Sequence, residues 1–148
     1  SLQRHLDHER AVARLAQANQ PGVSSSAVQN VFIEYALELG FKDEAKGLFK
    51  HYKNKGLRPD YYRPIGETGV ILEVERGKTN QNNMDFLDFW KCHICRHANY
   101  LILMVPNELQ QKVGGPISRP FGTTLSHLSA FFEEENYTNV RGLVLFGY

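Results

Sequence analysis

No run of apolar residues in this 148-residue chain approaches the roughly 18 that a membrane-spanning helix needs. Cysteine is scarce, with two in all, which excludes the disulfide framework of a small secreted scaffold. Charge of one sign is missing too. Seventeen Lys and Arg stand against sixteen Asp and Glu, a formal net charge of +1, so no global field draws the chain to nucleic acid or membrane. Any affinity for a polyanion must then come from a local patch. There is no internal repeat, no low-complexity tract and no signal-peptide pattern, and a cytoplasmic protein with no membrane partner is the expectation.

What is present fits a globular domain: 42% hydrophobic and 22% charged residues, at a length that can bury a sizeable core. One domain is expected over 1–148, mainly helical over 1–56, with a core over 57–106 and a C-terminal helix and strand over 107–148. Leu2, Leu6, Val12 and Leu15 are spaced as one face of a helix ending near Pro21-Gly22. Ser24 to Ser26 offer N-caps for a second helix through Val28, Val31, Phe32, Tyr35 and Leu39, stopped by Gly40. A third is expected from Lys42 to Lys55. Two extended arms follow, Tyr61 to Arg63 and Val70 to Arg76, then a polar linker, Asn80 to Asn83. A helix is expected over Met84 to Asn99, with Phe86, Leu87, Trp90 and Ile94 on one side, and a strand over Tyr100 to Val105. Glu108 to Gln111 carry a short helical pattern, Leu125 to Glu134 a longer one, and Val140 to Tyr148 a last strand.

The stretch Gly69 to Lys78 carries the chemistry. It is a β-branched, apolar run that should be buried, yet Glu73 and Glu75 interrupt it two residues apart. The period-2 geometry of a strand puts both on one face, where two carboxylates repel unless a cation or a proton separates them. Asp60, after Pro59, lies on the preceding arm. Three carboxylates at a sheet end are an oxygen ligand set suited to Mg²⁺. The plain reading is that Glu73 and Glu75 form the solvent face of an edge strand, with Val70, Leu72 and Val74 turned to the core.

Pro59-Asp60, a hairpin and then Glu73-Val74-Glu75 resemble the PD-(D/E)xK nuclease superfamily, over about Leu57 to Pro106. The resemblance implies an α/β fold with a restriction-endonuclease-like core: a central mixed sheet flanked by helices, here behind an N-terminal helical segment. It implies a metal-dependent endonuclease that hydrolyses DNA phosphodiesters. Asp60 and Glu73 would hold Mg²⁺ or Mn²⁺ together with the Val74 carbonyl, and Glu34 would complete the site from a helix. Glu75 stands where most members have Lys, and Lys78 would supply a displaced positive charge, so Asp60, Glu73, Glu75 and Lys78 form the expected catalytic set. Two strands before the crossover helix are visible in the sequence, where the superfamily has three. A homodimer or a larger nucleic-acid-processing assembly is expected for so short a chain. The alternative is a non-catalytic interaction or scaffold domain, docking through Phe131, Phe132, Tyr137, Phe146 and Tyr148.

A basic stripe supplies the patch that net charge does not. On a helix, Lys42, Lys46, Lys50 and Lys53 share one face, Lys55, Arg58 and Arg63 continue the charge towards Asp60, and Arg76, Lys78 and the Asn80 to Asn83 linker would contact phosphate. Lys46, Lys50, Lys53, Arg58, Arg63 and Arg76 are the expected DNA contacts, although a solvated helix face gives the same spacing. Cys92, His93, Cys95 and His97 hint at zinc but lack a second ligand pair, and buried cysteines beside exposed histidines explain them. Gly77-Lys78-Thr79 lacks the upstream glycine of a phosphate-binding loop.

Overall fold

The computed structural model describes residues 4, 8–43, 48–49, 57–77 and 79–148. Helix α1 (Glu9–Ala18) is opened by His8, whose Nδ1 accepts from the Arg10 amide. Its inward stripe is Ala11, Leu15 and Ala18, while Val12 is half exposed. Leu2 and Leu6 lie outside the described residues. Helix α2 (Ser25–Glu38) turns Val28, Val31, Phe32 and Ala36 inward. It stops where Gly40 takes φ +79°, a left-handed value that glycine adopts without a Cβ penalty.

Directly after that stop the chain becomes a strand, β1 (Lys42–Asp43), where the sequence pattern predicts the start of a third helix. Lysine spacing fits a helix face, but Phe41 is buried in the core beside α2 and the chain leaves it extended. The remainder of that predicted helix falls largely on residues outside the description. Strand β1 pairs antiparallel with β2 (Tyr61–Ile65), which pairs antiparallel with β3 (Thr68–Val74). A three-stranded front to the sheet therefore exists, where two strands were legible in the sequence.

From β3 the chain crosses through α3 (Met84–Ile94) to β4 (Tyr100–Val105), which lies parallel to β3. Asn82 and Asn83 make the turn into α3 at φ 55° and 57°, a conformation asparagine tolerates better than most residues. The helix ends at Ile94, five residues before the expected Asn99, because Cys95 turns extended. The segment expected to be helical around Glu108–Gln111 is instead strand β5 (Leu109–Gln110), paired with β6 (Ile117–Ser118) in a separate ribbon. Helix α4 (Pro120–Ser129) begins with Pro120, whose ring suits the first turn, and β7 (Gly142–Gly147) adds parallel to β4. The result is a mixed α/β protein built on a five-stranded sheet of order β1-β2-β3-β4-β7.

Both faces of the sheet are covered. Val70, Leu72, Val74 and Met104 pack under α1 and α2 with Leu15, Val28 and Phe32. Ile71, Leu101, Leu103 and Val105 pack under α3 and α4 with Phe89, Cys92 and Leu128. Phe89 stacks on Phe131 at 4.3 Å between ring centres, and truncating so buried a ring costs about 3–5 kcal/mol. These contacts fix α3 over the end of β3, and that placement makes the site. Among the described residues no helix is long and apolar enough to cross a membrane.

Candidate functional site

Strand β3 is central, so Glu73 cannot face solvent as the plain edge-strand reading requires. Its alternation with Ile71 turns it to the face beneath α3, and it is 2% exposed. The β2–β3 register pairs Tyr61 with Leu72, and one step further sets Asp60 across from Glu73. The two acids lace the strand ends together. The Asp60 amide donates to Glu73 Oε2 at 3.0 Å, and the Val74 amide donates to Asp60 Oδ2 at 2.9 Å. Gln29 Nε2, from α2, donates to both Asp60 oxygens at 3.3 Å.

Glu75 follows at the end of the strand. Its amide donates to the Met104 carbonyl at 2.9 Å, and its carbonyl accepts from the Tyr148 hydroxyl at 2.6 Å. The backbone at Glu75 is thus pinned from β4 on one side and from the residue after β7 on the other.

Helix α3 brings two partners that sequence reasoning missed. Lys91 Nζ donates to Glu73 Oε1 at 2.9 Å and to Asp88 Oδ1 at 2.8 Å. Asp88 has no exposed surface, Lys91 is 7% exposed, and the Asp88 carboxyl is also hydrogen-bonded to the Glu75 side chain. Of the four residues expected on one side of this helix, Phe86, Leu87 and Ile94 are partly buried against the core and Trp90 is not. Asp85, Asp88, Phe89, Lys91 and Cys92 are buried, while Trp90 is 55% exposed. The available signal was the spacing of Asp85, Asp88 and Lys91 at three-residue steps through an otherwise apolar helix, one stripe of ionisable groups.

Four carboxyl groups therefore surround one ammonium. Burial raises all four above their ordinary range. Glu73 is pushed well up by desolvation and then by Asp88. Glu75 reaches about 8 through desolvation, then Asp88 and Asp60. Asp60 and Asp88 rise for the same first reason, with the Val74 amide opposing it at Asp60 and Lys91 opposing it at Asp88. Lys91 is desolvated but held charged, its pKa raised by Glu73 and Asp88. A group that rich in carboxylates takes up protons or binds cations.

The carboxylates of the cluster are hard oxygen donors, a kind that suits Mg²⁺ or Mn²⁺. Among the described residues, however, no three His, Cys, Asp or Glu side chains are disposed to hold an ion as they stand. Lys91 bridges Glu73 and Asp88 instead.

Other expected residues lie elsewhere. Glu34 sits on the surface with Arg14, its side chain 64% exposed and 3.6 Å from the Arg14 guanidinium; the residue of α2 that reaches Asp60 is Gln29. Arg76 is buried and donates to the Val23 and Gln20 carbonyls in the α1–α2 connection, so it ties the fold rather than a phosphate. Arg58 and Arg63 are exposed. Lys46, Lys50, Lys53 and Lys78 lie outside the described residues. Cys92 and Cys95 are buried and form no disulfide, and burial pushes the Cys92 thiol up to about 12. No family model matches the chain, and neither a curated protein nor a solved structure matches it.

Proposed function

We propose that this chain is a metal-dependent nuclease domain with a restriction-endonuclease-like core, cutting DNA phosphodiesters. The observation that carries the reading is the convergence of Asp60, Glu73 and Glu75 with Lys91 at the end of β3, in a buried cluster rich in negative charge. The element order supports it: helices, three antiparallel strands, a crossover helix, then a parallel strand.

In this reading Asp60 and Glu73 hold the divalent cation, with Gln29 and the Val74 amide orienting Asp60. Bound there, the ion supplies Lewis acidity to the scissile phosphate and lowers the pKa of an attacking water. Lys91 provides the positive charge that position 75 lacks, through an ammonium kept protonated by its two carboxylate neighbours. Glu75, pushed up to about 8 by burial and by the neighbouring Asp88 and Asp60, would accept a proton from water in its ionised form. Arg58 and Arg63, both exposed, would be the phosphate contacts in this reading.

The C-terminal aromatic residues named for the scaffold alternative divide between core and surface. Phe146 and Tyr148 pack against the first core, and Phe131 stacks on Phe89, leaving Phe132 and Tyr137 exposed. The test is nicking of supercoiled DNA with Mg²⁺ or Mn²⁺ present. The intact chain should nick, and Asp60→Asn and Glu73→Gln should each lose the activity while staying folded. Full activity in either variant, or none in the parent, would remove the reading.

A further inference from the structure

The two edges of the sheet are finished differently. At one, β1 has two residues, Lys42 and Asp43, both charged and exposed, and a short charged edge resists the addition of a further strand. At the other, β7 runs for six residues, Gly142 to Gly147, with no charge and no proline. Its pairing with β4 is unbroken along that length, so no bulge twists the edge away. Among the described residues β7 is paired on that one side. The outward backbone amides and carbonyls of such an edge are a template for another strand.

Apolar surface frames this edge on both faces of the sheet. Val144, at mid-strand, is 47% exposed. A cleft of about 520 Å³ is lined by Val12 and Ala16 of α1, Phe121 of α4, and Leu145 and Phe146 of β7. Leu145 and Phe146 belong to the cores on opposite faces of the sheet, so the cleft wraps around the edge itself. Exposed Leu125 and Phe132 continue the apolar surface beside Leu143.

The charges at the two ends of the edge select the strand that fits it. Arg141, directly before β7, is exposed. At the far end the Asn107 amide donates to the Tyr148 carbonyl at 2.7 Å, which holds the neighbouring Glu108 beside that end. Glu108 is exposed and 3.5 Å from Arg119, itself 80% exposed, a surface pair that exchanges readily. Antiparallel addition of a second β7 brings each Arg141 end against the Glu108 end of the other copy, twice by symmetry. A net charge of +1 per chain leaves little repulsion between copies. We propose that β7 is a dimerisation edge, pairing antiparallel with β7 of a second copy so that the two sheets become one. The pairing does not depend on the nuclease reading.

Sedimentation equilibrium of the full chain tests it, and the parent should show a reversible dimer. Val144→Lys sets like charges at the middle of the edge and should weaken the dimer about ten-fold or more, with an unchanged circular dichroism spectrum. Arg141→Glu and Glu108→Arg should each weaken it as well, and the two combined should restore it. A parent that stays monomeric at every concentration would overturn the proposal and leave the edge to a strand of another protein. An equally tight dimer in Val144→Lys would overturn the placement on β7. Single charge reversals without effect, or a double variant no tighter than the singles, would overturn the antiparallel arrangement.

Discussion

Asp85 and Asp88 stand one turn apart on α3, both with no exposed surface, and their surroundings differ in kind. Every oxygen of Asp85 is satisfied. Oδ1 accepts from the Phe86 amide at 3.1 Å, and Oδ2 accepts from Asn80 Nδ2 at 2.9 Å and meets His127 Nδ1 at 2.8 Å. Asn80 also donates to Thr124 on α4, so this network joins the turn before α3 to both helices. Asp88 shares its one ammonium with Glu73 and is hydrogen-bonded to the Glu75 side chain. A saturated polar network rigidifies a fold, whereas crowded buried carboxyl groups take up protons or cations. Asp85 thus ties helices together, and every side-chain partner of Asp88 is itself a member of the charged cluster.

The largest expected effect follows from that contrast. Asp85→Ala should destabilise the chain by about 3 kcal/mol, because it strands the Phe86 amide, Asn80 and His127 together. Asp88→Asn keeps an acceptor for Lys91 and removes one of several crowded charges, so stability should stay within about 1 kcal/mol. Urea unfolding of both variants measures the difference, and equal losses would break the comparison.

The second effect is a dependence on pH. Glu75, raised to about 8 in the folded chain against 4.5 unfolded, binds a proton that the unfolded state releases. Its contribution to stability is fully present below pH 4.5 and is lost as pH rises through about 8. Asp60, Glu73 and Asp88 are shifted in the same direction. Stability should therefore fall between pH 5 and 8, and Glu75→Gln should flatten the fall. A parent that grows more stable over that window would contradict the crowding.

A smaller effect tests the reassignment of Arg76. Arg76→Ala should lose about 1–3 kcal/mol of stability and leave the salt dependence of DNA binding unchanged. Arg58→Gln with Arg63→Gln should do the opposite, flattening the slope of log affinity against log salt by up to about two units on duplex DNA.

The reach of the sequence is set by the same contrast. The crossover from β3 through α3 to β4 was legible, because an apolar run, a helical period and a second apolar run have no other economical arrangement. The pairing of Asp60 with Glu73 at a sheet end was legible from the hairpin that joins them. Lys42–Asp43 was not, since a two-residue strand has no period and its lysine fits a helix face as well. The apolar residues of α3 were legible as one side, and Phe86, Leu87 and Ile94 do pack on the core. The burial of Asp88 and Lys91 was not, because it comes from charge pairing between α3 and β3, which local periodicity does not encode. Gln29 carried no signal at all: an amide on a helix becomes a partner of Asp60 only once α2 is laid across the sheet.

The most direct measurement is calorimetric titration of Mn²⁺ into the parent chain, Glu73→Gln and Asp85→Asn. The account predicts saturable binding in the parent, its loss in Glu73→Gln and its retention in folded Asp85→Asn. Binding that survives Glu73→Gln unchanged would contradict the claim that the buried carboxyl cluster, and not some other acidic surface, is the functional site.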